Sequence, residues 1–169
     1  LLNWNDYISW SRITDSLLFT GFSVPLLDYI VTELARTGVP AQAVCFEITE
    51  TAAIANLEAA KRFIRDLHAL GCRFALDDFG SGLSSFSYLK TLKVDYLKID
   101  GGFVRDVSRD DIDRAMVESI QQVGKVMHLS TIAEHVEDEM TLNVLRKIGV
   151  DFVQGYHLGR PEAIADDLP

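Results

Sequence analysis

The sequence predicts an α/β fold in which parallel strands are covered by helices. Short β-branched and apolar runs alternate, from residue 25 onward, with longer segments whose apolar residues recur every three to four positions. Each strand is followed by a helix before the next strand begins, the arrangement that lays strands parallel. The unusual polar residues fall at the carboxyl ends of the strands, the face on which (β/α) barrels build their sites.

The elements follow in order. "PLLDYIVTELARTG" (25–38) reads as a helix, with Pro25 in its first turn and Gly38 past its end. Leu27, Ile30, Val31 and Leu34 form its apolar face. "VCFEIT" (44–49) is a strand. "NLEAAKRFIRDLHALG" (56–71) is a helix capped by Asn56, with Ala60, Phe63, Ile64 and Leu67 on one face and Gly71 at its stop. A strand at 73–78 and a short helix near 84–91 come next. "VDYLKID" (94–100) is a strand. The helix 110–128 carries Ile112, Met116, Ile120 and Val123 on one side. A strand (130–136), a helix (138–149) and a last strand (151–156) complete the pattern. Residues 1–24 are less regular. "LLNWNDYISW" reads as helix or loop, and "ITDSLLF" (13–19) as one more strand, the sixth. No linker or low-complexity segment divides the chain.

The 169 residues suffice for one domain with a real core. A formal net charge of −9 disfavours a nucleic-acid binder, which needs clustered Lys and Arg, so DNA is not an expected partner. No apolar run approaches membrane-spanning length, and no signal peptide is expected within these residues. Cys45 and Cys72 lie in or beside apolar strands, without a CxxC, and read as buried free thiols in a reducing compartment.

The strand-end residues carry the chemistry. Glu47 belongs to the first clear strand, Asp77 and Asp78 to the second, Lys98 and Asp100 to the third, Glu134 to the fourth and Gln154 to the fifth. A lone acid at a strand end is usually a cap or a surface charge. Five strands in succession are not explained that way. Adjacent Asp77 and Asp78 repel each other, so a cation between and beside them is expected. His68, His128, His135 and His157 show no zinc-type spacing. A carboxylate-rich, sulfur-free set suits Mg²⁺ or Mn²⁺. Two such ions, about 3.5–4 Å apart, suit in-line displacement at phosphorus. "DFG" (78–80) lacks the other kinase motifs, and "GSG" (80–82) fails the GxGxxG spacing because residue 85 is serine.

"FEITE" (46–50), "LDDFGSGLSS" (76–85), "VDYLKID" (94–100), "AEHVE" (133–137) and "QGYHLGRP" (154–161) resemble, in order and spacing, the EAL-domain cyclic di-GMP phosphodiesterases of bacteria. The resemblance covers residues 25–161, so 25–169 is expected to be most of one such domain, with 1–24 a poorly matched segment. It implies a TIM-like (β/α) barrel, here lacking its first strand and helix. It also implies hydrolysis of cyclic di-GMP to linear pGpG with two Mg²⁺ or Mn²⁺ ions, in the bacterial cytoplasm. By position, Glu47, Asp77 and Asp78 would hold metal, with Asp77 bridging. Lys98 would orient the attacking water or bind phosphate. Glu134 would be the acid/base or a second-metal residue, and Gln154 would hold water on the metal. Glu50 would brace loop 80–85, which in the family links metal binding to dimerisation. Asp100 and Glu137 would support these groups from behind. Ca²⁺, which takes more and longer ligands, is expected to inhibit. A homodimer and an attached sensory or GGDEF-like domain are the implied partners.

Two departures matter. The Glu-Ala-Leu tripeptide that names the family is absent, and the place of a further Asn ligand falls near Asp15 in a poorly matching segment. His135 stands where glycine is common. The competing readings are a degenerate EAL domain that binds cyclic di-GMP or a protein partner without cleaving it, and an enolase-like barrel, which the ordered motifs oppose.

Overall fold

The computed structural model describes residues 24–80 and 87–160. Helix α1 (Val24–Thr37) precedes strand β1 (Cys45–Thr49), with a single 3₁₀ turn (Ala41–Ala43) between them. Helices α2 (Glu50–Ala55) and α3 (Leu57–His68) lead to β2 (Arg73–Phe79), then β3 (Tyr96–Ile99). Helices α4 (Gly101–Asp106) and α5 (Asp111–Met127) lead to β4 (Ser130–Ala133), and α6 (Glu139–Ile148) to β5 (Phe152–Val153). Among the described residues the five strands form one sheet in the order β1-β2-β3-β4-β5. Every neighbouring pair is parallel. Among the described residues the sheet is an open array with β1 and β5 at its edges. The strand expected at 13–19, and with it Asp15, lies outside the described residues.

Local chemistry explains most boundaries. Gly38, at φ +69, ends α1 in the left-handed conformation that glycine adopts without steric cost. On α3, Ala60, Phe63, Ile64 and Leu67 are all buried, as their spacing predicts. Asn56 precedes α3, but its side chain makes no capping hydrogen bond, contrary to the expectation. Asp110 caps α5 by accepting from Ile112 and Asp113, and Asp138 caps α6 by accepting from Thr141. The buried residues of α5 are Val117, Ile120, Gln121 and Gly124, with Val123 packed on the core beside them, so the expected face is partly kept, while Ile112 is 75% exposed. Gln121 displaces an apolar residue because its polar atoms are satisfied. It donates to the Gly149 carbonyl at 2.6 Å and accepts from the Thr131 hydroxyl. Val31 on α1 is likewise exposed, not packed.

Two short helices were hidden in the sequence. Thr49 caps α2 by accepting from Ala52, and Asp100 caps α4 by accepting from Gly102 at 2.7 Å. The pair Gly101-Gly102 has poor helix propensity and masks α4. Residues 87–91, the described end of the short helix expected near 84–91, form a turn.

Both cysteines are free and buried. Burial first, then the Asp95 and Glu47 carboxylates, pushes the Cys45 thiol up to about 12. Burial also raises the Cys72 thiol. Since the thiolate is the reactive form, neither should react with a colorimetric disulfide reagent at pH 8 until the chain is unfolded. A fast-reacting thiol in the folded chain would contradict this packing.

Candidate active site

The pleat of the sheet sorts its side chains. Successive residues of a strand point to opposite faces, so every second residue shares one. On the helix-covered face, Phe46, Ile48, Phe74, Leu76, Leu97, Ile99 and Ala133 join one buried cluster. On the other face Cys45, Ala75, Tyr96 and Ile132 pack together, with Phe152 against them. Two residues further along each strand, in step with that apolar layer, stand Glu47, Asp77, Lys98, Glu134 and Gln154. An apolar floor therefore carries a polar layer, one residue from each strand, toward the carboxyl ends.

Asp78 breaks the alternation. A regular strand would turn it to the face opposite Asp77. The β2–β3 register instead shifts between Leu76 and Phe79, and Asp78 sits at φ +54. Such an irregularity re-aims a side chain. Carboxylate oxygens of Asp77, Asp78 and Glu134 consequently lie within 4.8 Å of one another. A left-handed conformation at a residue other than glycine costs of order 1–3 kcal/mol and persists at functional sites.

Lys98 occupies the centre of the polar layer and is 1% exposed. Its Nζ lies 2.9 Å from Glu47 Oε1, 2.9 Å from Asp77 Oδ1 and 2.7 Å from Glu134 Oε1. Burial alone would favour the neutral amine. The three carboxylates outweigh that and raise the lysine above its ordinary value, so the ammonium stays charged. Glu134 is also raised, by burial first and by Asp77 and Glu47, with Lys98 opposing. One ammonium thus faces three carboxylates, and Asp78 adds a fourth beside them. These donors are all oxygen and converge from β1, β2 and the end of β4, which fits a hard divalent cation.

The expected site residues divide in three. Asp77, Asp78 and Glu134 converge directly, whereas Glu47 reaches them through Lys98. Glu50, 3% exposed at the start of α2, accepts from the Gly80 backbone N–H at 3.1 Å and from the Tyr88 hydroxyl at 2.5 Å. It therefore holds the end of β2, where loop 80–85 begins. The others stand apart. Asp100 caps α4, Glu137 is exposed, and Gln154 is exposed while its backbone N–H donates to the Ala133 carbonyl. Tyr88 and Leu89 are buried in the core of this chain, and the Tyr88 hydroxyl is a site-supporting donor that the sequence did not reveal.

Comparisons with known proteins agree with this geometry. The EAL domain family profile matches residues 18–161. Cyclic di-GMP phosphodiesterase PdeB of Shewanella oneidensis is 46% identical over 140 residues, 83% of this chain and 16% of that protein. Probable cyclic di-GMP phosphodiesterase PdeA of Escherichia coli is 42% identical over 137 residues, 81% of this chain and 19% of that one. The chain thus spans less than a fifth of the length of these two relatives. Among solved structures, a complex of the PaMucR phosphodiesterase with c-di-GMP matches with a TM-score of 0.83 and 33% identity, covering 93% of this chain and 62% of that one. The Xanthomonas citri FimX EAL domain in complex with c-diGMP matches at 0.80 and 27%, covering 90% and 59%. The open parallel sheet is part of a TIM-like barrel, and the chain belongs to the EAL domain family.

Proposed function

We propose that this chain carries most of a catalytic domain that hydrolyses one phosphodiester bond of cyclic di-GMP, giving linear pGpG. The observation that carries this reading is the convergence of Asp77, Asp78 and Glu134 through the irregularity in β2. The names of the relatives supply the substrate class.

Asp77, Asp78 and Glu134 would hold Mg²⁺ or Mn²⁺, with Glu47 adjoining through the Lys98 contact. Such ions, when bound, neutralise charge on the phosphodiester and acidify the attacking water. The chain's own residues do the rest. Glu47, Asp77 and Glu134 fix the Lys98 ammonium, a positive point preset to orient water or receive a phosphate oxygen. Gln154 offers an exposed amide at the rim, and Asp100 anchors the chain leaving β3. Glu50 steadies the end of β2. A bacterial cytoplasmic setting suits this substrate and the two free thiols. Among the described residues no helix is long and apolar enough to cross a membrane. A homodimer and an attached sensory or GGDEF-like domain complete the reading.

The test is incubation of the purified full chain with cyclic di-GMP and Mg²⁺ or Mn²⁺, with the products separated chromatographically. Appearance of pGpG is expected. A dinucleotide that is bound and never cleaved would support the degenerate reading instead. Replacing Mg²⁺ by Ca²⁺ should preserve dinucleotide binding and abolish turnover, because Ca²⁺ prefers more numerous, longer oxygen contacts. Full turnover in Ca²⁺ would argue against this use of the carboxylates.

A further inference from the structure

We propose that Tyr88 is a positioning residue for the Asp77–Asp78 pair, acting through Glu50. The inference rests on the metal-site reading above. Glu50 is a buried carboxylate whose two oxygens are held by neutral donors, the Tyr88 hydroxyl on Oε1 and the Gly80 N–H on Oε2. At 2.5 Å the Tyr88 contact has the length of a charge-assisted O–H···O⁻ bond. Burial, then the Glu50 carboxylate, holds the phenol protonated, so it remains a donor.

Gly80 lies two residues beyond Asp78 and has φ +96. A Cβ there would come within 3.1 Å of Ile120 Cδ1 and 3.2 Å of Phe103 Cε2. The end of β2 is therefore pinned by packing on one side and by Glu50 on the other. Asp78 needs that restraint, because its left-handed conformation survives only where its surroundings impose it. Tyr88 and Glu50 are 38 positions apart, so the hydroxyl ties the turn at 87–91 to the start of α2 and, through it, to the carboxylates. Without the hydroxyl, Glu50 Oε1 loses the donor it has among the described residues, the grip on Gly80 loosens, and Asp78 can relax away from Asp77 and Glu134.

Tyr88→Phe keeps the ring in the core and deletes only this bond. In the full chain we expect Mn²⁺ affinity to fall roughly tenfold, the low end for a partner standing behind a metal ligand. The turnover number should fall with it while KM for cyclic di-GMP stays near the parent value. Glu50→Ala should weaken Mn²⁺ binding at least as much. The double variant should be no worse than Glu50→Ala alone, because both changes cut one chain of contacts. Parental Mn²⁺ affinity in Tyr88→Phe, or losses that add in the double variant, would overturn the inference. If the parent chain itself binds no Mn²⁺, the proposed function fails, and exchange at the Gly80 amide decides this point. Faster exchange in Tyr88→Phe supports the restraint, and unchanged exchange overturns it.

Discussion

Lys98→Met is expected to destabilise the fold by about 3–5 kcal/mol, the usual cost of removing one partner from a buried ion pair. Methionine nearly matches lysine in volume, so the buried space that Lys98 fills stays filled. The charge does not. Glu47, Asp77 and Glu134 are 7%, 2% and 6% exposed, and each now meets the Lys98 ammonium within 2.9 Å. Removing it leaves three carboxylates facing one another in a poorly hydrated space. Water entering among the carboxylates would limit the loss. A divalent cation would limit it further, because it returns positive charge to the same oxygens. Chemical denaturation with and without Mn²⁺ measures both effects, and added Mn²⁺ should recover more stability in Lys98→Met than in the parent. An unchanged midpoint without metal would mean that the carboxylates do not depend on the lysine.

The polar layer was legible in the sequence because the pleat imposes it. Glu47, Asp77, Lys98, Glu134 and Gln154 each follow an inward-facing residue by two positions, and a reader needs only the strand positions to align them. Asp78 was legible only as an anomaly. Two adjacent aspartates cannot share a face in a regular strand, yet the sequence does not show that the register slips there. The caps of α5 and α6 sit where their aspartates announce them, whereas α4 was lost behind two glycines. The role of Tyr88 was illegible for a different reason. A tyrosine in an apolar run reads as core, which it is, and its hydroxyl finds Glu50 only through tertiary contact across 38 positions. On α5 the expected Ile120 and Val123 do pack on the core, whereas Ile112 is exposed and a satisfied Gln121 is buried in its stead.

Asp77→Asn should have the opposite balance to Lys98→Met. It removes one negative charge from a site where carboxylates outnumber the ammonium, and asparagine keeps the shape. Lys98 retains Glu47 at 2.9 Å and Glu134 at 2.7 Å, and the asparagine Oδ1 still accepts from it. Stability should therefore change by no more than about 1 kcal/mol, the net value of an ordinary hydrogen bond. Metal binding should suffer most. Loss of the carboxylate proposed as a direct ligand is expected to weaken Mn²⁺ affinity by more than the 10–100-fold typical of a partner behind the ligands. The proposed hydrolysis of cyclic di-GMP should be lost with it. Asp78→Asn is the matched control for backbone strain, since asparagine tolerates φ +54 as readily as aspartate. It too should lose affinity without unfolding. Calorimetric Mn²⁺ titration beside a denaturant melt separates the two quantities. If Asp77→Asn bound Mn²⁺ as tightly as the parent, the ion would have to sit elsewhere, and the convergence at the end of β2 would need another explanation.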